Sequence, residues 1–123
     1  MNIYKSGEDY LETILILSLR NGNVRSVDIA HELGFKKSSV SVAMKNLRLN
    51  EYIKVDENGY ITLTESGSEI ARKIYERHTI LTDFLSSLGV DKDIAAEDAC
   101  KIEHDLSNES FDALKKFITN HPV

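Results

Sequence analysis

Residues 26–63 constrain the fold most, because their pattern predicts two short helices followed directly by a β-hairpin. Ser26 is suited to cap the first helix, and Gly34 supplies the left-handed residue at which a helix commonly ends. The inner side of this helix is predicted to be apolar and to consist of Val27, Ala30 and Leu33. A turn at residues 34–37 then leads into the second helix.

The second helix is predicted to run from Lys37 or Ser38 to about Asn50. Its apolar side consists of Val40, Ala43, Met44 and Leu47, and its other side carries Lys37, Ser38, Ser41, Lys45 and Arg48. Any pair of packed helices would show the apolar spacing, but not these small polar and basic residues on the outer face. The pattern therefore favours a helix-turn-helix.

The hairpin follows the second helix without a linker. Residues 52–55 and 60–63 alternate as strands do, and they flank Asp56-Glu57-Asn58-Gly59. Asn-Gly is a strong signal for a tight hairpin turn. A hairpin in this place is typical of the wing of a winged helix-turn-helix, which indicates a DNA-binding module.

The distribution of charge agrees with this interpretation. The formal net charge is −5, yet residues 20–55 hold seven Lys or Arg and three acids, a local charge of +4. Residues 1–19 carry −2 and residues 56–123 carry −7. A basic block between acidic flanks gives the chain one region suited to phosphates and another suited to cations.

Other classes of protein are disfavoured. The apolar runs are too short to span a bilayer, and the N-terminus lacks the apolar core of a secretory signal, so no membrane partner is expected. The single cysteine excludes an internal disulfide framework and fits a cytoplasmic location. No nucleophile–base pair, glycine-rich phosphate loop or His-Glu-x-x-His motif is evident, so we expect neither an enzyme nor a small organic substrate.

The remaining segments are predicted to be helical, over residues 5–20, about 66–88, and from residue 91 or 92, with a last short helix capped at residues 107–110. An apolar stripe on the second of these consists of Ile70, Ile74, His78, Leu81, Leu85 and Leu88. One copy of the chain cannot cover so long an apolar stripe, so a homodimer is expected.

We predict a mainly α protein with a small β-hairpin wing. Its two domains are a winged helix-turn-helix at residues 1–65 and a helical dimerisation domain at residues 66–123.

Several side chains suggest a metal site. On a continuous helix, Cys100, Glu103 and His104 would share one face opposite Ala95, Ala99, Ile102 and Leu106, and they would form a transition-metal half-site. Asp9 and Glu12 would share one side of the first helix. Each signal has a plainer alternative, because two acids suit a helix N-terminus and a lone histidine such as His78 is often a core residue.

Taken together, these pieces resemble the metal-dependent DtxR/MntR repressors over nearly the whole chain. The matching segments are Glu8-Asp9-Tyr10-Leu11-Glu12, Asp28-Ile29-Ala30, Ser39-Val40-Ser41, Leu63-Thr64-Glu65-Ser66-Gly67, Arg77-His78 and residues 100–107. The resemblance implies a homodimeric cytoplasmic repressor in the short form, without an SH3-like domain, that binds a double-stranded DNA operator when activated by Mn²⁺ or Fe²⁺. It also implies that one metal-binding domain comprises residues 66–123.

The resemblance further implies a ligand set of Asp9, Glu12, His78, Cys100, Glu103 and His104. The chain mixes two branches of the family, because Asp9 is typical of the manganese branch and Cys100 of the iron branch. Thr82 and Ala96 stand where the iron branch has extra ligands. Carboxylates favour Mn²⁺ or Fe²⁺, while the softer thiolate also suits Co²⁺, Ni²⁺ or Zn²⁺, which are expected to substitute in vitro.

On the DNA side, we expect basic residues to meet phosphates, namely Arg25, Lys36, Lys37 and Lys54. Candidates for base edges are Ser38, Ser41, Val42 and Lys45, and Ser39 lies in the same segment. The mechanism expected is that metal neutralises Asp9, Glu12 and Glu103 and thereby favours the DNA-binding state. The alternative is a metal-independent winged-helix dimeric regulator, in which His78 and Cys100 would be core residues.

Overall fold

The structure is a computed structural model that describes residues 5–120, and within that range it is mainly α-helical with one small sheet. The elements are α1 (Lys5–Asn21), α2 (Ser26–Leu33), α3 (Lys37–Leu49), β1 (Ile53–Val55), β2 (Ile61–Leu63), α4 (Glu65–Ser87), α5 (Lys92–Ile102) and α6 (Asn108–Asn120). None of the helices in the described part is both long and apolar enough to cross a membrane. The predicted mainly α class with a β-hairpin wing is confirmed.

The chain divides into two compact units, Met1–Lys73 and Ile74–Val123, so the division falls inside α4. The first unit has one apolar core to which all its elements contribute. Its buried members are Leu11, Ile14, Leu17, Val24, Ile29, Ala30, Val40, Met44, Leu47, Ile53, Ile61 and Ala71. Burial of these side chains stabilises the helix-turn-helix and the hairpin as one body, because neither would bury enough apolar surface alone.

Helix α2 differs from the prediction in two details. Its N-cap is Arg25 rather than Ser26, and the Arg25 backbone N–H donates to Asp28 Oδ2 at 2.9 Å. Val27 is 45% exposed, whereas Ile29 is fully buried, so the predicted inner side was wrong at Val27. Val27 and Ile29 are two positions apart, which is a rotation of about 200° around a helix, so they cannot both face the core. Gly34 ends the helix in the left-handed conformation, at φ 68°, as predicted.

Helix α3 and the hairpin match the prediction. Val40, Met44 and Leu47 are buried, and the predicted outer residues of α3 are exposed. Strands β1 and β2 pair antiparallel, with Ile53 opposite Leu63 and Val55 opposite Ile61. Of the four apolar residues in these two pairs, Ile53 and Ile61 are buried in the core and Val55 is exposed.

Near the start of helix α4, the backbone at Gly67 lies very close to the backbone of Tyr52. A Cβ atom on Gly67 would collide with the carbonyl group of Tyr52, which already accepts a hydrogen bond from Thr64 N at 3.1 Å. The Thr64 hydroxyl donates to the Glu51 carbonyl at 2.7 Å and accepts from Gly67 N at 3.2 Å. Residue 67 is therefore glycine because only glycine leaves room for this approach.

In the second unit, α5 is capped by Asp91, whose carboxylate accepts from Asp93 N at 3.2 Å. The helix ends at Ile102, with Glu103 as its C-cap, and a turn then leads to α6. The backbone of Glu103 is still helical, at φ −60° and ψ −28°, and its carboxylate lies within 4.8 Å of the Cys100 thiol, so these two residues keep the predicted spacing. The prediction of one continuous helix is wrong only at His104, which lies in the turn after α5. For the same reason Leu106 is not on the apolar face of α5. Ser107 caps α6 as predicted, since its hydroxyl accepts from Ser110 N at 3.1 Å.

Substituting Gly67 with Ala should destabilise the first unit by about 1–3 kcal/mol, because overpacking against backbone cannot be relieved by a rotamer change. Urea unfolding followed by circular dichroism measures the difference. Glu69→Ala is the matched control, because Glu69 is exposed on the same helix. Equal stability of the two variants would show that the Tyr52 carbonyl does not limit the side chain at position 67.

Candidate functional site

The buried carboxylate of Glu103 is the centre of the candidate metal site in the second unit. Glu103 is fully buried, and its Oε2 lies 2.8 Å from His78 Nδ1. Its Oε1 lies 3.4 Å from His104 Nε2 and accepts no hydrogen bond from any described residue. Burying a carboxylate oxygen without a hydrogen bond costs free energy, and coordination of a cation would offset that cost. Glu103 Oε1 is therefore a candidate metal ligand.

Arg77 determines where this carboxylate lies. Its Nη1 donates to the carbonyl groups of Glu103 at 2.9 Å and Leu106 at 2.6 Å, and its Nη2 donates to Asn108 Oδ1 at 2.9 Å. The guanidinium also lies 5.1 Å from the centre of the Phe111 ring. Two adjacent residues of α4 therefore hold Glu103, with Arg77 at its backbone and His78 at its side chain.

Sequence reasoning missed the role of Arg77 and placed His78 in the buried stripe instead. Arg77 is 2% exposed, whereas the His78 side chain is 32% exposed. The spacing contained the signal, since Arg77 lies three residues after Ile74 and four before Leu81, both of which are buried. A charged residue at such a position indicates a buried hydrogen-bonded ion.

The described residues supply donors that fit a first-row divalent metal. Imidazole nitrogens of His78 and His104 flank the Glu103 carboxylate, and Cys100, the single cysteine of the chain, lies in the last turn of α5. Nitrogen, oxygen and sulfur donors together suit Fe²⁺, Mn²⁺ and the later divalent ions. Asp9 and Glu12 belong to α1 in the first unit, and their role as ligands remains a prediction.

The candidate nucleic-acid interface lies in the first unit. All nine predicted DNA-contacting residues are exposed, namely Arg25, Lys36, Lys37, Ser38, Ser39, Ser41, Val42, Lys45 and Lys54. Val42 is 61% exposed although it is apolar, and it lies among the basic and hydroxyl side chains of α3. An exposed apolar residue on such a helix suits contact with a thymine methyl group.

A groove separates α3 from the wing on this side of the first unit. Its walls are formed by Ser26, Ser41, Met44, Lys45, Arg48, Val55 and Asp56. Arg48 was not among the predicted DNA contacts, although it was recognised on the outer face of α3. Lys45 and Arg48 are the two cations that line this groove, so Arg48 joins the basic residues of the candidate interface.

Comparison with known proteins identifies the family to which both parts of the chain are similar. The family model described as the N-terminal DNA binding domain of iron dependent repressors matches residues 2–61, and the model described as their metal binding and dimerisation domain matches residues 64–122. An uncharacterized HTH-type transcriptional regulator of Methanocaldococcus jannaschii is 40% identical over 116 residues, which cover 93% of each chain. The HTH-type transcriptional regulator MntR of Listeria welshimeri is 38% identical over 120 residues, covering 95% of this chain and 84% of the relative.

Solved structures agree. The manganese regulator SloR superposes with a TM-score of 0.81 at 30% identity, covering 97% of this chain. This chain spans 55% of the length of the SloR chain. The match of both family models, together with the identity to full-length relatives, shows that the chain belongs to the iron-dependent repressor family of metal-dependent, DNA-binding transcriptional repressors.

Proposed function

We propose that this chain is a cytoplasmic, homodimeric repressor that binds its DNA operator when it holds Mn²⁺ or Fe²⁺ and so controls genes of metal homeostasis. The observation that carries the proposal is the fully buried Glu103 carboxylate between two imidazoles, in a chain that also has a winged helix with an exposed basic face. Relatives named MntR and the structure of a manganese regulator support manganese as one candidate.

The proposed ligands come from both units of the chain. His78, Cys100, Glu103 and His104 belong to the second unit, and Asp9 and Glu12 belong to α1 of the first. Membership of the family and the donor chemistry support this set, because three carboxylates offer the hard oxygen ligands that Mn²⁺ and Fe²⁺ prefer. The thiolate extends the range of ions that bind in vitro to Co²⁺, Ni²⁺ and Zn²⁺.

The regulation proposed is a shift between two populations of the same dimer. The bound ion supplies positive charge that offsets the mutual repulsion of the Asp9, Glu12 and Glu103 carboxylates. Arg77 keeps the Glu103 backbone in place in either state, because its Nη1 donates to the main-chain carbonyls of Glu103 and Leu106, which are not metal ligands in the proposed set. A tenfold gain in DNA affinity requires only about 1.4 kcal/mol of preferential metal binding to the DNA-binding state, and DNA must then tighten metal binding by the same factor.

A homodimer is supported by apolar side chains that remain exposed in the second unit. The large ones are Tyr75, Leu88, Ile94, Ile102 and Phe117. A second copy would cover such residues, and a two-fold dimer presents two recognition helices to half-sites about one DNA turn apart. The family model that matches this part of the chain is described as a dimerisation domain.

The metal-independent alternative requires His78 and Cys100 to be core residues. The His78 side chain is 32% exposed and Cys100 is exposed, so neither residue has the burial that this alternative assumes. The chemistry of the second unit therefore favours the metal-dependent repressor.

Fluorescence anisotropy with labelled DNA from the protein's own promoter tests the metal switch. We expect Mn²⁺ or anaerobic Fe²⁺ to raise the affinity at least about tenfold over chelator, which corresponds to about 1.4 kcal/mol. His104→Ala should abolish the gain because it removes one imidazole beside Glu103. Lys101→Ala, an exposed neighbour on α5, should retain it.

Binding that is equally tight in chelator and in metal would refute the switch and leave only the winged helix as a DNA-binding module. Thermal unfolding of His104→Ala without metal separates loss of a ligand from loss of the fold. The His104 side chain is 3% exposed, so the substitution should lower the thermal midpoint but leave a cooperative transition, which shows that the variant is still folded.

Two substitutions on α3 separate phosphate contact from base contact. Lys37→Ala should weaken binding to operator and random DNA alike and lower the slope of log affinity against log salt by about 1. Val42→Ala should weaken binding to operator only. Lys116→Ala, an exposed cation of the second unit, is the control for net charge. An equal effect of Lys37→Ala and Lys116→Ala would contradict a phosphate contact at position 37.

A further inference from the structure

The wing is poorly equipped to approach DNA with its own charges. From residue 53 to residue 63 it has a single cation, Lys54, and its turn carries Asp56 and Glu57. The Asp56 carboxylate Oδ1 accepts hydrogen bonds from Asn58 N and Tyr60 N, each at 2.9 Å. Asp56 therefore shapes the turn, and the tip as a whole presents negative charge that phosphates repel.

A cation from another part of the chain lies on the wing. The guanidinium carbon of Arg25 is 4.5 Å from the centre of the Tyr60 ring, within the range of a cation–π contact. Arg25 precedes α2 and is exposed, so its charge remains available to a partner.

The backbone fixes both members of this pair. Ile61 N donates to the Val24 carbonyl at 2.7 Å, so the residue before Arg25 is joined to the residue after Tyr60. Arg25 N donates to Asp28 Oδ2 at 2.9 Å, which ties its main chain to the first turn of α2. The backbone of Arg25 is therefore held in place, and its long side chain is held by the contact with the Tyr60 ring.

The pair also adjoins the outer face of α3. Ser26, next to Arg25 in the chain, and Asp56 of the wing line the same groove as Ser41 and Lys45 of α3. A duplex seated on α3 would therefore have its phosphate backbone close to the start of α2 and to the wing.

We propose that Tyr60 is a positioning residue for DNA binding, whose ring holds the Arg25 guanidinium against the wing so that Arg25 supplies the phosphate contact that the acidic turn cannot make. This inference rests on the proposed function, because it assumes that the winged helix binds DNA. Holding the side chain in advance lowers the entropy that Arg25 would otherwise lose on binding. The ring is required and the phenol hydroxyl is not.

A double-mutant cycle tests the inference with the full chain, Mn²⁺ and a labelled duplex from its own promoter. Arg25→Ala should weaken binding and lower the salt slope by about 1. Tyr60→Leu should weaken binding about 2–5-fold, the range of one exposed cation–π contact. The double variant should bind no more weakly than Arg25→Ala, and Tyr60→Phe should bind like the wild-type protein.

Additive losses in the double variant, or equal losses in Tyr60→Phe and Tyr60→Leu, would overturn the inference. Thermal unfolding shows whether Tyr60→Leu keeps the fold, and Tyr60→Val takes its place in the cycle if the midpoint falls. A wild-type protein that does not bind the duplex with any metal refutes the proposed function itself. A wild-type protein that binds, with an additive cycle, refutes only the role of Tyr60.

Discussion

The second unit depends on the hydrogen bonds of one buried cation, the guanidinium of Arg77. Removing a guanidinium from water costs several kcal/mol, and hydrogen bonds offset part of that cost. Its two Nη atoms donate three hydrogen bonds, to Glu103, Leu106 and Asn108, and its face lies near the Phe111 ring, while its Nε has no hydrogen-bond partner among the described residues. These contacts hold the turn between α5 and α6, so the residues that carry the chemistry are placed by a side chain that has no metal-binding atom.

The position of Glu103 follows from this arrangement. Glu103 is the C-cap of α5, so its backbone carbonyl accepts no hydrogen bond from a following helical turn. Arg77 donates to that carbonyl instead. Its side chain can then turn toward His78, the residue next to Arg77 on α4. The backbone of Glu103 itself is still helical, at φ −60° and ψ −28°, and the turn begins directly after it. That turn places the His104 imidazole beside the carboxylate that His78 also contacts, so two imidazoles meet one carboxylate within a single unit.

Much of the first unit could be predicted from the chain. Glycine at position 34, Asn-Gly at the hairpin turn and the apolar spacing of α3 each act over a few residues, and the structure shows each of them as expected. The prediction was wrong where the apolar pattern allowed a helix to turn either of two faces toward the core. Val27 has the apolar character of a core residue, yet it lies about 200° around α2 from Ile29, and Ile29 is the one that faces the core.

The sequence by itself determined the order of elements, the separation of basic and acidic segments, and the types of metal-binding side chain, because these depend on local periodicity and on composition. Only the tertiary structure decided that α5 ends before Glu103, that Arg77 rather than His78 is buried, and that Arg25 lies on Tyr60. The hydrogen-bond partners of Arg77 are 26 to 31 residues away along the chain. Contacts at such separations depend on how helices pack, and no local pattern of residues encodes that distance.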